Sequence, residues 1–443
     1  MKIGDKLLLA AAVSAVALVP ASKAMIGSLY HGFHGRVDIL IGGIGFVMLM
    51  GGVALALAAI DKWNNALLKL FLLAFLLVNI YFLVRPRLGA TALPLWTKGG
   101  VAALLLAMLF YLMQFRVREE GLRKTAKAIV VSSIIFALSP LALAWSGAGR
   151  SAVVDFAHHA GTRNALVLIL DETSPEYAPG FIRELREAGL YVRATEVAAT
   201  GKFTLNAIPG MLSQRNYDDV APCSGSALCG GQYFDFGDLS TSANRTDIVG
   251  FYHPYCAIKG LRSCFRQENV FAESSGVNFG LLLFCSQFNV GRLLPLCEIS
   301  FRGAPPVELA KQNMTLQIEH APFWRQGGLL FVHYPLPHPS MTPHFPSLKV
   351  EYEGNVAQSE RMVARLAGQM VTRFGADFTI LITSDHALRI DMWCATPEYA
   401  RADCAAGLPP DRGRVPFIVA SPKPITSVMP VTNAGLFAGK LPQ

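Results

Sequence analysis

Residues 165–173 read ALVLILDET, six apolar side chains followed at once by Asp171, Glu172 and Thr173. An uninterrupted apolar run of this length is typical of a strand that is buried on both faces, as in a parallel sheet. The carboxylates after it fall where such sheets bind ligands, beyond the carboxyl ends of their strands. The stretch therefore predicts an α/β layer fold with a candidate site at the end of its first strand.

Short apolar runs and helix-like stretches alternate along the rest of this region. Such alternation indicates a mostly parallel central sheet covered by helices. Further strands are predicted at Tyr191–Val197, Asp247–Tyr252, Leu329–His333, Phe378–Thr383 and Val415–Ala420, and helices at 178–189, near 276–290 and at 353–374.

The first third of the chain has a different composition. Residues 1–150 contain 15 Lys and Arg against 5 Asp and Glu, a net charge of +10, whereas residues 151–443 contain 24 against 26, a net charge of −2. The positive charge flanks apolar stretches and forms no basic face, which argues against a nucleic-acid partner. Apolar runs at about 7–22, 39–60, 66–84, 99–115 and 128–147 predict five membrane helices.

The basic residues of the short loops predict the orientation. Nine lie on the side that includes the N-terminus and the 116–127 loop, against six on the other side. This places the N-terminus in the cytoplasm and residues after 150 outside it. The first run also reads as a cleavable signal peptide ending near residues 21–24, and the chain is exported either way. We expect a membrane domain at 1–149, a linker at 150–164 and a catalytic domain at 165–443.

All eight cysteines lie between residues 223 and 404, in the part placed outside. Eight cysteines allow 105 connectivities, of which nearest-neighbour pairing is the simplest. A zinc site of thiolates is the alternative, but the chain has no C-x-x-C pair. Disulfides indicate an oxidising compartment such as the bacterial periplasm. The predicted pairs are Cys223–Cys229, Cys256–Cys264, Cys285–Cys297 and Cys394–Cys404.

Three predicted strands end in chemically unusual residues. They end in Asp171-Glu172-Thr173, in the segment from His333 to His338, and in Ser384-Asp385-His386. A single such residue is more often a turn or cap residue. Carboxylates and imidazoles at three strand ends supply the nitrogen and oxygen ligands that suit zinc, and they predict a metal site.

Residues 199–213 read as a loop that opens a short helix, with Thr204 near the helix N-terminus. Backbone N–H groups and the helix dipole at that end favour an anion such as phosphate. A threonine hydroxyl becomes a nucleophile when a metal or a base lowers its pKa. The alternative is that Thr204 is only an N-cap.

Together these motifs resemble the alkaline-phosphatase/sulfatase superfamily, and within it the bacterial lipid A phosphoethanolamine transferases. That family has Gly-Glu-Thr after its first strand, a nucleophilic threonine in a segment similar to residues 202–213, a Ser-Asp-His motif, and two histidines five residues apart. The layout of five membrane helices, a linker and a disulfide-rich periplasmic domain is also similar. The resemblance implies that Glu172, Thr204, Asp385 and His386 surround one zinc ion, with His333 and His338 nearby for a second metal or for the substrate.

The chain departs from the family in several places. Thr200 and Gly210 stand where the lipid A enzymes have cysteines, and Ala387-Leu-Arg389 follows the Ser-Asp-His motif. Because no histidine follows His386, we expect one tightly bound zinc ion, with the histidine pair positioning phosphate or acceptor. Three further residues are minor site candidates: Asp171, Lys202 and Arg389.

The implied reaction moves phosphoethanolamine from a membrane phospholipid to lipid A or another envelope glycan, through a phosphorylated Thr204. We expect a monomer in the bacterial inner membrane with its catalytic domain in the periplasm. Three alternatives remain: a phosphoglycerol transferase, a sulfatase-like hydrolase, and an inactive regulator that binds lipid A. The sulfatase alternative lacks the C/S-x-P-x-R context for formylglycine around Thr204, and the regulator alternative is disfavoured because the site residues are retained.

Overall fold

The computed structural model divides into two compact units, Met1–Leu29, His34–Ser146 and Phe271–Ala304 in one, and Tyr30–Phe33, Gly147–Val270 and Pro305–Gln443 in the other. The structure describes residues 8, 11, 21–22, 25–31, 36–60, 124, 127, 130–131, 164–213, 215–241, 245–267, 307–339, 347–395, 399, 403–426 and 429–433.

In the first unit, helix α1 (Arg36–Ile60) covers the predicted apolar run at 39–60. Several of its large apolar side chains are exposed, among them Leu40, Ile44 and Met48. Among the described residues, no helix meets the length and hydropathy required of a membrane span. The other four predicted membrane helices and the linker predicted at 150–164 lie outside the described residues, apart from isolated positions and Asn164.

The second unit is built on a seven-stranded sheet with the order β2-β10-β9-β1-β8-β6-β7. The pairs β1–β8, β1–β9, β6–β7 and β6–β8 are parallel, and only β10 pairs antiparallel with its neighbours β2 and β9. The predicted mostly parallel sheet is therefore confirmed. Its strands are β1 (Asn164–Asp171), β2 (Tyr191–Ala198), β6 (Thr246–Phe251), β7 (Ser263–Gln267), β8 (Leu329–Pro337), β9 (Phe378–Ser384) and β10 (Arg414–Ser421).

Strand β1 lies at the centre of this sheet, between β8 and β9. Its even-numbered residues 166–170 pack into a core cluster on one face, and its odd-numbered residues 165–169 pack into a second cluster on the other. Successive side chains of a strand point to opposite faces, so burial on both faces requires an unbroken apolar run. This explains why residues 165–170 have no polar alternation.

Helices cover the sheet, and two of the predicted ones are confirmed with small shifts of their ends. The predicted helix near 276–290 lies outside the described residues. The helices of this unit are α2 (Ala178–Glu187), α3 (Thr204–Ser213), α4 (Val307–His320), α5 (Phe323–Gln326), α6 (Leu348–Phe374) and α7 (Ile390–Cys394).

A small antiparallel sheet that the sequence did not predict is formed by β3 (Val220–Pro222), β4 (Ala227–Gly230) and β5 (Phe234–Asp235). Its strands are too short for a periodic pattern to be visible. Three of the four predicted disulfides are present: Cys223–Cys229 within this small sheet, Cys256–Cys264 and Cys394–Cys404. The pair Cys285–Cys297 lies outside the described residues and stays a prediction.

Candidate active site

The carboxyl ends of β1 and β9 bring two of the motifs together. Because the two strands are parallel and Leu170 is in register with Ser384, the residues after them meet at one edge of the sheet. The hydroxyl of Ser384 joins the two strand ends, since it donates to the Leu170 carbonyl (2.6 Å) and accepts from the Thr173 N–H (2.8 Å). Asp171 and the Ser-Asp-His motif are thus held side by side.

Helix α3 delivers Thr204 to the same edge. The turn before it is tight, because a Cβ at Gly201 would lie 2.4 Å from Asn206 Oδ1 and 2.7 Å from the Ala207 amide nitrogen. Thr204 is the first residue of the helix and is buried. Its Oγ1 lies 3.2 Å from His386 Nε2 and 3.5 Å from Asp171 Oδ1. The hydroxyl is therefore at the centre of the cluster of polar side chains.

The ring of His386 is oriented by its own backbone neighbour. Its Nδ1 lies 3.0 Å from the carbonyl oxygen of Ala387, and because a carbonyl can only accept, Nδ1 carries the proton. The other ring nitrogen, Nε2, faces Thr204 Oγ1 and lies 3.4 Å from Asp385 Oδ2. A metal-binding histidine uses this arrangement, with the second nitrogen held by a hydrogen bond.

Asp171, Asp385 and His386 form a buried group whose ligand atoms all lie within 4.8 Å of one another. Burial, with the negative charges of Asp385 and Glu172, raises the pKa of Asp171 well above its usual value. Burial alone would raise the pKa of Asp385 too, but the rings of His386 and His333 lower it. Asp385 Oδ2 is buried without a hydrogen-bond partner. Two buried aspartate side chains, one with an unpaired oxygen, beside an imidazole nitrogen fit a divalent cation such as zinc.

Glu172, which the resemblance makes a ligand, is not part of this group, whereas the minor candidate Asp171 is. Its backbone has φ +61°, and its carboxylate points to the other side of His386, 4.0 Å from Nδ1. There Arg389 pairs with Glu172 Oε1 (Nε at 2.6 Å), and Trp393 Nε1 donates to Oε2 (2.7 Å). Asp171 is the last residue of β1 and Glu172 follows it with a left-handed backbone, so only the Asp171 carboxylate lies close to Thr204.

The two histidines in and directly after β8, His333 and His338, have different neighbours. His333 lies inside the strand, because β8 continues to Pro337, and its Nδ1 is 2.8 Å from the hydroxyl of Tyr255. Its ring is fully buried, which lowers its pKa to about 4, and its Nε2 has no hydrogen-bond partner. His338 instead packs edge-on against Trp393, with ring centroids 4.9 Å apart. Burial also lowers the pKa of His338.

The remaining candidates, Lys202 and Arg389, have different surroundings. Lys202 is exposed. Arg389, besides pairing with Glu172, lies over the ring of Phe203, with its Cζ 5.1 Å from the ring centroid. The residue directly before Thr204 is therefore an aromatic side chain, Phe203, with the guanidinium of Arg389 over its ring.

Residues distant in sequence complete the site. Asn433 accepts from the Thr200 N–H (2.9 Å) and donates to the carbonyls of Ser384 and Asp385, so it ties the loop before α3 to the Ser-Asp-His motif. His253 is fully buried, with Nε2 2.9 Å from the Thr204 carbonyl. Neither residue lies in a motif, and no local pattern in the sequence singles out an isolated asparagine or histidine.

The positions where the resembled family has cysteines lie against each other. A Cβ at Gly210 would be 2.8 Å from Cβ of Thr200. The Thr200 hydroxyl donates to the Ala207 carbonyl at 2.9 Å. In this chain a hydrogen bond and a close backbone approach hold the loop to α3 at the place where that family has a cysteine pair.

No protein-family model matches this chain, and no curated protein matches it. Solved structures do match. The C-terminal periplasmic domain of EcEptC from Escherichia coli, in complex with Zn, matches with TM-score 0.33 and 10% identity over 65% of this chain and 84% of that chain. A phosphonate monoester hydrolase of Agrobacterium radiobacter matches with TM-score 0.34 and 11% identity over 62% and 72%.

A protein in the alkaline phosphatase superfamily from Vibrio parahaemolyticus matches with TM-score 0.30 and 12% identity, over 67% of this chain and 72% of that chain. Because these scores and identities are low, the function of this chain has to be argued from the geometry of its own site.

Proposed function

We propose that this chain is a zinc-dependent phosphotransferase of the alkaline-phosphatase/sulfatase superfamily that uses Thr204 as its nucleophile. The observation that carries the proposal is the position of Thr204 Oγ1, 3.2 Å from Nε2 of His386 and 3.5 Å from Oδ1 of Asp171, at the N-terminus of a helix. A helix N-terminus favours the phosphate that such a nucleophile attacks.

Asp171, Asp385 and His386 are the residues that would hold the zinc ion. The bound ion would supply positive charge that lowers the pKa of the Thr204 hydroxyl and stabilises charge on the phosphoryl oxygens. The burial of all three residues keeps water away from that charge and so strengthens its effect. The ligand set therefore contains Asp171 in the place that the family resemblance gave to Glu172.

We propose phosphatidylethanolamine as donor and lipid A or another envelope glycan as acceptor. In the first half-reaction a bond forms between Thr204 Oγ1 and phosphorus, the bond to the diacylglycerol oxygen breaks, and the threonine proton ends on the diacylglycerol hydroxyl. In the second, a bond forms between an acceptor oxygen and phosphorus, the bond between Thr204 Oγ1 and phosphorus breaks, and the acceptor proton ends on Thr204 Oγ1. A threonine ester divides one difficult displacement into two easier ones.

We further propose that the chain is anchored in the inner membrane, with this unit in the periplasm, and acts as a monomer. The five apolar runs and the exposed apolar side chains of α1 support the anchor. The disulfides support an oxidising compartment. Tyr30 lies between the first two predicted spans in sequence and hydrogen-bonds within the catalytic unit, as expected if this part of the chain and that unit are on the same side of the membrane.

Mass spectrometry of envelope lipids tests the proposal. Cells that express the wild-type chain should accumulate a phosphoethanolamine-modified acceptor and diacylglycerol, and cells that express Thr204→Ala should not. Phosphoglycerol on the acceptor would favour the runner-up donor, whereas unchanged lipids with an active chain on a soluble ester would indicate a hydrolase. Identical lipids and no activity in either strain would leave the regulator alternative.

A further inference from the structure

A short N-terminal segment, Tyr30–Phe33, belongs to the catalytic unit although it lies far from it in sequence. Tyr30 is completely buried, and its ring packs edge-on against Phe236 and His253, with centroids 6.4 and 5.8 Å away. Arg266 donates to the Tyr30 carbonyl, and His31 Nδ1 donates to the carbonyl of Tyr252 (3.3 Å). Tyr30 and His31 are thus held by their side chains and by the Tyr30 carbonyl.

A chain of hydrogen bonds runs from this segment to the nucleophile. The Tyr30 hydroxyl lies 2.8 Å from His253 Nδ1, and His253 Nε2 lies 2.9 Å from the Thr204 carbonyl oxygen. Because a carbonyl can only accept, Nε2 carries a proton. In an imidazole with its single proton on Nε2, Nδ1 is the acceptor, and the Tyr30 hydroxyl is placed to donate to it.

We propose that Tyr30 is a positioning residue for Thr204: its hydroxyl fixes His253 in the Nε2–H tautomer, which holds the Thr204 carbonyl at the start of α3. This inference rests on the proposed role of Thr204 as the nucleophile. The carbonyl and the Oγ1 atom belong to one residue, so a fixed carbonyl limits the rotation of the whole residue. Small errors in the position of a reacting atom reduce the rate strongly.

Without the Tyr30 hydroxyl, the His253 ring has no donor at Nδ1. The buried nitrogen is then unsatisfied, and the other tautomer, with a proton on Nδ1, becomes accessible. In that tautomer Nε2 has no proton to give to the Thr204 carbonyl. The nucleophile would lose its anchor while the packing of the phenyl ring of residue 30 stays the same.

The test uses the full chain in lipid nanodiscs and measures diacylglycerol released from phosphatidylethanolamine. Tyr30→Phe should lower kcat roughly tenfold, the effect of one unsatisfied buried hydrogen bond, with KM and zinc content unchanged. Tyr217→Phe is the matched control, because Tyr217 is also buried and its hydroxyl accepts a hydrogen bond from Ser213 (2.9 Å), at the opposite end of α3 from Thr204. Its kcat should stay within twofold of wild type.

A double-mutant cycle separates positioning from packing. The amide of His253→Gln can donate to the Thr204 carbonyl in any state of residue 30, so Tyr30→Phe should have little further effect in the His253→Gln background. Residues that act through one network show such non-additive effects, whereas independent packing defects add. Additive losses in the double variant, or a wild-type kcat in Tyr30→Phe, would overturn the inference.

Hydrogen exchange gives a reading that does not depend on activity. The amides of Asn206 and Ala207 both bond to the Phe203 carbonyl at the start of α3. They should exchange roughly tenfold faster in Tyr30→Phe and at the wild-type rate in Tyr217→Phe. If the wild-type chain releases no diacylglycerol, the proposed function fails, and the exchange rates alone decide whether Tyr30 holds the start of α3. Equal exchange in all three chains would refute it.

Discussion

Thr204 Oγ1 lies 3.2 Å from Nε2 of His386, although the two residues are 182 positions apart. The contact forms because β9, which precedes His386, ends at the edge of the sheet where α3 begins. The Ala387 carbonyl keeps the proton of His386 on Nδ1, so that Nε2 can accept a proton or bind a metal ion. The Thr204 hydroxyl and the His386 ring nitrogen thus lie together in a buried site beside two aspartates.

The nucleophile is tested by removing one hydroxyl. Thr204→Ala should abolish transfer while lowering the free energy of unfolding by only about 1 kcal/mol, the contribution of one hydrogen bond. Thr204→Ser should keep partial activity, because it retains an attacking oxygen. Peptide mass spectrometry should find a phosphoryl adduct on Thr204 in the wild type. Full activity of the alanine variant would remove Thr204 from the mechanism.

The two adjacent carboxylates should have different effects. Asp171→Asn should lose zinc, because it removes a charge from the buried group. Glu172→Gln should retain zinc but lower the free energy of unfolding by about 3 kcal/mol, because it leaves Arg389 without its buried partner. Metal analysis after dialysis and thermal unfolding measure the two effects. Zinc lost from Glu172→Gln and kept by Asp171→Asn would restore the ligand set of the resembled family.

The number of metal ions is tested at His338. We expect one tightly bound zinc ion per chain, lost together with activity in His386→Ala. His338→Ala should lose activity and keep that ion, because His338 packs against Trp393 and is not among the three residues of the buried group. Two ions after dialysis, falling to one in His338→Ala, would contradict this and indicate a two-metal site.

The disulfides should be local and independent. Removing Cys394–Cys404 by a double serine substitution should lower the free energy of unfolding by roughly 3 kcal/mol. It should also lower activity, because Trp393, next to Cys394, holds Glu172. The same change at Cys223–Cys229 should destabilise without lowering activity as much. Non-reducing peptide mapping should find these pairs and Cys285–Cys297. Reactive free thiols in exported protein would contradict the pairing.

Acid should weaken the attachment of the N-terminal segment. Burial, with a smaller contribution from the charge of Arg266, lowers the pKa of His31 from 6.5 to about 4, although the hydrogen bond to the Tyr252 carbonyl raises it. Between these pH values the unfolded chain binds a proton that the folded chain does not, so stability present above pH 6.5 is lost as pH falls. The loss should be about 2 kcal/mol from pH 7.5 to 5. Thermal unfolding of His31→Phe should depend less on pH, and parallel curves would exclude this role.

The sequence by itself determined the α/β class of the second unit, because the unbroken apolar run of β1 and the alternation of strands and helices are local signals of a covered parallel sheet. It also predicted that Asp171 and the Ser-Asp-His motif share one edge, since parallel strands end on the same side. Three disulfide pairs followed from the shortest spacing of the cysteines.

Only the tertiary structure decided which carboxylate faces Thr204. The choice between Asp171 and Glu172 depends on a backbone turn with φ +61° and on Arg389, 217 positions away, which no local pattern encodes. The same holds for Tyr30 and His253, which are 223 positions apart. Periodicity determines which face of an element is buried, but the direction of a side chain at a strand end depends on partners that only folding brings into contact.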